Sequence, residues 1–277
     1  MKSKVTSTKL GDIEYRSIGS GIPVVFVHGG HSNCHETLCH KGFDLKKFRL
    51  ITPSRPGYGK TPLRGNQTPR KSAALIAELL DFLSVEQTIV YGISAGGPTA
   101  IELAAQYPNK VHKLILASAV SKKWLDQNER IYKTARFIFN PKIEKLTWGM
   151  IRFFSRIFPK AMAKSFFVQF SIHPMGKLKR DDIQELVSAL KHYNSGQGFL
   201  NDIDQDLTDN VLAKVKCPTL VIHSENDNSV HLSHARHAHK MIENSKLEIL
   251  QNEWGHLFWI GADAMESITK TIKYIDR

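Results

Sequence analysis

The chain has 277 residues, 42% of them hydrophobic, enough to bury a sizeable core without a disulfide or metal staple. No apolar run reaches the ~18 residues of a membrane span, the basic start lacks the apolar stretch of a secretory leader, and the three cysteines (Cys34, Cys39, Cys217) fit a reducing cytoplasm better than a disulfide framework. The formal charge of +12 is concentrated: between Lys122 and Arg180 fourteen Lys/Arg face three acids, a net +11.

In chain order, Ile13 to Ile18 alternates as a strand and Gly19-Ser20-Gly21 breaks it. Val24-Val25-Phe26-Val27 is a continuous apolar run, the mark of a strand buried on both faces. Phe48 to Thr52 is a weaker strand ended by Pro53. Lys71 to Leu83 has helical spacing with Pro69 just ahead. Thr88 to Tyr91 and Val111 to Leu116 read as strands, with a helix from Pro98 to Tyr107 between them. Strands return at Thr219–Ile222 and Leu247–Leu250, and helices at Ala235–Ile242 and Ala264–Ile275. This alternation predicts an α/β fold with a mostly parallel central sheet, antiparallel at its start and covered by helices on both faces. Between about residues 121 and 206 the β signal vanishes and the chain turns helical, basic and aromatic. The expected organisation is a core of 1–120 and 207–277 and an inserted helical cap, 121–206, over the carboxyl ends of the strands.

The strongest motif is Gly92-Ile93-Ser94-Ala95-Gly96, directly after a strand and directly before a helix. A serine on such a sharp turn exposes its hydroxyl, and side chains in place of the flanking glycines would clash. The amide of Ala95 then faces any negative charge built on a substrate. A dinucleotide loop is the rival, but Ser94 would stand at its central glycine and no acid ends the next strand. His28-Gly29-Gly30 closes the Val24–Val27 strand and offers the Gly30 amide as a second oxyanion donor, with His28 in a structural role, pinning the loop. Asp227 follows the strand Leu220–Ile222, with Glu225 as its local competitor. His256 follows Gly255 in the loop before the last helix. Serine, acid and histidine each come just after a different strand, in the order of a nucleophile, an orienting carboxylate and a base.

These residues, together with Arg55-Pro56-Gly57-Tyr58-Gly59, resemble the α/β-hydrolase superfamily over residues 10–120 and 207–277. The resemblance implies a nucleophile elbow at Ser94, a triad of Ser94, Asp227 and His256, and an oxyanion hole from the amides of Gly30 and Ala95. It implies no cofactor and no metal. Two departures stand out: Ser224 where many members have glycine, and His31 where many have Pro or Gly. Dehalogenases and epoxide hydrolases of this fold use an aspartate nucleophile, so Ser94 points instead to acyl chemistry. The expected activity is hydrolysis of a small or medium apolar carboxylic ester through an acyl-enzyme. Carbon–carbon bond hydrolysis, a proline-iminopeptidase-like activity, and a non-catalytic small-ligand receptor are the alternatives.

The expected partner is a small-molecule substrate. The insertion reads first as a lid whose apolar face roofs the pocket, and only second as a membrane-surface helix. A nucleic-acid role is rejected, since no recognition motif accompanies the charge. His231, His234 and His237 recur every three residues, but no cysteine or carboxylate of suitable spacing joins them. A solvated helix is expected there.

Overall fold

The computed structural model describes residues 2–276. Eight strands form one sheet: β1 (Lys4–Thr8), β2 (Gly11–Gly19), β3 (Ile22–Val27), β4 (Phe48–Pro53), β5 (Thr88–Ile93), β6 (Val111–Ala117), β7 (Thr219–Ser224) and β8 (Ser245–Leu250). Their order in space is β1-β2-β4-β3-β5-β6-β7-β8. The β1–β2 and β2–β4 pairings are antiparallel and the remaining ones parallel, so the sheet is mostly parallel and antiparallel at its start.

The apolar runs lie where both faces are covered. On β3, Val24 and Phe26 join one core while Val25 and Val27 join the other, as the two-residue period of a strand requires. One core packs under α1 (Pro69–Phe82), α2 (Gly97–Gln106) and α9 (Ser233–Met241). The other packs under α10 (Ala264–Ile275). Thr68 starts α1, its hydroxyl accepting the Lys71 amide, with Pro69 in the first turn. The strand β1 is absent from the sequence reading because its residues, Lys-Val-Thr-Ser-Thr, are polar and mostly exposed at the sheet edge.

Between β6 and β7 the chain forms α3 (Arg130–Ile138), α4 (Glu144–Ile157), α5 (Pro159–Phe170), α6 (Arg180–Leu190), α7 (Gly198–Ile203) and the short α8 (Asp209–Leu212). The buried face of α4 and α5, with Trp148, Ala163 and Phe167, continues the core beneath α10. Among the described residues no helix is long and apolar enough to cross a membrane.

Candidate active site

Ser94 stands between β5 and α2 with φ at +49°, the left-handed region that a serine enters only when its surroundings enforce it. The enforcement is visible at its neighbours. A Cβ on Gly96 would lie 2.2 Å from the Val27 carbonyl oxygen, and one on Gly92 would lie 2.5 Å from Ala100 Cβ. The turn is therefore pressed against β3 on one side and α2 on the other.

The His28-Gly29-Gly30 loop runs beside this turn. A Cβ on Gly29 would stand 3.0 Å from Ser94 Cβ, and one on Gly30 would stand 3.9 Å from Ala95 Cβ. His28 is fully buried and ties the loop down. Its Nε2 accepts the Arg55 amide at 2.9 Å, which leaves Nδ1–H to donate to the Gly29 carbonyl at 2.7 Å. Burial, reinforced by the Arg55 charge, holds the imidazole well below its ordinary pKa and hence neutral. The Arg55 guanidinium donates to the carbonyls of His28 (2.7 Å) and Gly29 (3.2 Å) and forms a buried bidentate pair with Asp202 of α7 (2.7 and 2.6 Å). Tyr58 donates to the same carboxylate. Thus the Arg-Pro-Gly-Tyr-Gly segment fastens the glycine loop to the inserted helices.

Asp227 lies just beyond β7 and is buried, whereas Glu225 is exposed. Its Oδ1 accepts the amides of Ser229 and Val230, each at 2.8 Å. Its Oδ2 accepts Nδ1–H of His256 at 2.8 Å and lies 3.2 Å from Nε2 of His223. Burial alone would raise this carboxyl, but charge on His256 and hydrogen bonds from His223 and His256 outweigh it and hold it well below the usual carboxylate range. His256 sits in the single turn Gly255–Leu257 after β8. Gly255 has φ +52°, and a Cβ there would come within 2.5 Å of the carbonyl oxygens of Asn226 and Phe170. The Phe170 ring stacks on the imidazole, with centroids 5.7 Å apart and planes at 15°.

Ser94, Gly30 and His256 line one cavity of about 440 Å³. Asp227 lies behind His256, and Ala95 follows Ser94 beside Gly30. With Nδ1 of His256 engaged by Asp227, Nε2 is the ring nitrogen free for the cavity. The remaining walls come largely from the insertion: Ile131, Ala135 and Ile138 of α3, Trp148 and Ile151 of α4, Phe166 and Phe170 of α5, and Phe199 of α7. Among the described residues no lysine or arginine lines it, so the charge of the insertion does not reach the cavity. Glu36 is the one lining acid, and its oxygens accept the amides of Thr37 and Leu38 and the hydroxyl of Ser32.

The family described as "alpha/beta hydrolase fold" matches residues 22–262 of this chain. The chain belongs to the α/β-hydrolase family. This hydrolase is 37% identical over 263 residues to an uncharacterized hydrolase of Bacillus subtilis, YcgS, a match covering 93% of this chain and 92% of the relative. An alpha/beta hydrolase fold protein from Nakamurella multipartita superposes with a TM-score of 0.78 at 25% identity, covering 98% of each chain. An esterase from Exiguobacterium antarcticum, EaEST, superposes at 0.72 and 23% identity over the whole of both chains, a likeness of fold.

Two features of the hydrolase had no signal in the sequence, and a third, His31, stood out there without a role. Phe170 is one more aromatic in an aromatic segment until the end of α5 docks on the Asp227 turn. There the Ile172 amide donates to the Asn226 carbonyl at 2.9 Å, and Ser171 Oγ donates to the Glu253 carbonyl at 2.6 Å. Asp202 likewise declares itself only through Arg55. The third feature is His31. Trp148 Nε1–H donates to Ser195 Oγ at 2.7 Å, and the same Oγ is hydrogen-bonded to His31 Nδ1 at 2.8 Å. The His31 ring lines the cavity and packs on Phe199 and Phe139. Burial pushes this imidazole down to about 3.

One expectation is corrected. Of the histidines near α9, His231 is exposed as expected, but His234 and His237 are not solvated. His234 is buried and its Nδ1 accepts the Ser121 amide at 3.2 Å, while His237 lies 3.0 Å from Ser121 Oγ and 2.9 Å from Asp209. They pin the start of the insertion to α9. The sequence did not show this because the Ser121 groups that meet them lie more than a hundred residues away, and Asp209 is brought to His237 only by the fold.

Proposed function

We propose that this hydrolase cleaves small or medium apolar carboxylic esters through an acyl-enzyme on Ser94. The observation that carries the reading is the Asp227–His256 pair set at the edge of an apolar cavity that also holds Ser94 on its strained turn. Asp227 holds His256 with its proton on Nδ1, so Nε2 acts as the base. As Ser94 Oγ attacks the ester carbonyl, Nε2 takes its proton. The amides of Gly30 and Ala95 stabilise the oxyanion, and the protonated imidazole gives its proton to the departing alkoxide. Water then loses a proton to Nε2 and attacks the acyl-enzyme, releasing the acid and restoring Ser94. In this reading residues 121–206 act as a cap over the core of 1–120 and 207–277. The free cysteines support a cytoplasmic setting.

The apolar lining favours an uncharged acyl or alcohol group. It speaks against an aminopeptidase, because the one lining carboxylate, Glu36, is already committed to its own loop. The test is hydrolysis of p-nitrophenyl esters from acetate to decanoate by the wild type and by Ser94→Ala. The substitution is expected to lower the rate about 10⁴-fold or more with the fold intact by circular dichroism. Equal slow rates for the two proteins would sink the proposal.

A further inference from the structure

The helix α4 is apolar on two opposite sides, and only one of them is used by the fold. At about 100° per residue, Glu144, Trp148, Ile151 and Ser155 point inward, where Trp148 and Ile151 line the cavity. Leu146, Met150, Phe153, Phe154 and Ile157 occupy an opposite sector roughly 100° wide, and all five are exposed, Leu146 to 65% and Phe153 to 56%. Phe158, also exposed, extends this face, its ring stacked 6.4 Å from Phe154. A third sector between the two carries Lys145, Arg152 and Arg156. An apolar face of this size on a soluble surface is unusual and marks an interaction site.

We propose that this face of α4 docks on an anionic phospholipid bilayer, with the Phe153–Phe154–Phe158 cluster entering the headgroup boundary and the flanking basic residues meeting the lipid charge. Charge complementarity selects this occupant. The apolar sector lies in a segment of net +11, and an amphipathic helix with large apolar side chains beside a basic stripe suits an anionic interface. A second copy of the chain would bring its own Lys145, Arg152 and Arg156 against the same basic stripe. A nucleic acid would gain nothing from Leu146, Met150 and Ile157, which offer neither a charge for phosphate nor a ring for a base. The surface lies outside the proposed catalytic residues, so the inference stands apart from the ester reading.

The test is co-sedimentation of the full chain with sonicated vesicles of phosphatidylcholine alone or with about 30% phosphatidylglycerol, at low and moderate salt. Two double variants accompany it: Phe153→Ser/Phe154→Ser for the apolar component and Lys145→Glu/Arg156→Glu for the charge. These side chains are exposed and lie outside the cavity lining, so ester hydrolysis by the soluble protein serves as the control for folding. The wild type is expected to sediment with the anionic vesicles and not with phosphatidylcholine, and each double variant to bind about tenfold more weakly or worse. No sedimentation with anionic vesicles at low salt would overturn the proposal. So would binding unaffected by the Phe153→Ser/Phe154→Ser change, which would mean charge adsorption alone. A wild-type dimer that the same change makes monomeric, by light scattering, would assign the face to a second copy and overturn it as well.

Discussion

At the scale of single residues, the proposed chemistry rests on which atom of Asp227 meets which donor. Oδ1 is occupied by two backbone amides and Oδ2 by histidine ring nitrogens. An asparagine here must keep its oxygen on the amides, so its NH₂ group turns toward His256 Nδ1. Nδ1 then becomes an acceptor, the imidazole proton moves to Nε2, and Nε2 no longer serves as a base. Asp227→Asn is therefore expected to cost about 10⁴ in kcat with KM little changed, measured on the best p-nitrophenyl ester. A loss of less than tenfold would show that Asp227 does not orient the base. Much of this residue pattern was legible in the sequence, because the glycines around Ser94 and the polar groups after strand ends are demanded by local geometry. Glu225 and Asp227 could not be separated that way. Only the fold shows Glu225 facing solvent and Asp227 turned inward.

At the scale of elements, the glycine loop after β3 is held from two sides, by His28 beneath and by Arg55 reaching across to α7. The Arg55–Asp202 pair is buried on both partners and satisfied by parallel hydrogen bonds, with Tyr58 as a further donor. Removing one partner leaves an uncompensated buried charge, a change that costs about 3–5 kcal/mol. Asp202→Ala is therefore expected to lower stability by about that much in urea denaturation, and to slow ester turnover by loosening the Gly29–Gly30 backbone. A variant as stable as the wild type would mean that Arg55 finds another partner. The helices and strands of the core follow from periodicity and from their Pro and Gly punctuation. The insertion does not, since its contacts with the core (Asp202 to Arg55, Ser171 to Glu253, Ser195 to His31) join residues far apart in the chain and depend on how α3 to α7 pack. The helical character of this segment was visible, but not that Leu146, Met150, Phe153, Phe154 and Ile157 of α4 would face outward while Trp148 and Ile151 face in.

At the scale of the whole molecule, several histidines are buried in their neutral form, and this gives stability a defined pH dependence. His234 is pushed down from 6.5 to about 3, first by burial and then by the charge of Lys122 and neighbouring histidines. His28 is lowered in the same direction. In the unfolded chain these groups take up protons as the pH falls below 6.5, while in the fold they do not. The contribution of His234 is therefore complete above about 6.5 and is lost as the pH falls toward 3, and His28 acts in the same direction. His234→Gln is expected to flatten the fall of Tm between about pH 6.5 and 4, whatever its effect at neutral pH. A parallel downward shift with an unchanged slope would mean that His234 is protonated in the fold.

In the proposed mechanism the reactive oxygen is Ser94 Oγ, on a strained turn lining the same cavity as the imidazole of His256, which a buried carboxylate holds. The most direct test is labelling with a fluorophosphonate, read by intact mass and peptide mapping. A single adduct on Ser94, formed quickly by the wild type and abolished in His256→Ala, is the expected result. No adduct, or label distributed over other serines at the same rate in both proteins, would contradict a serine nucleophile in this cavity.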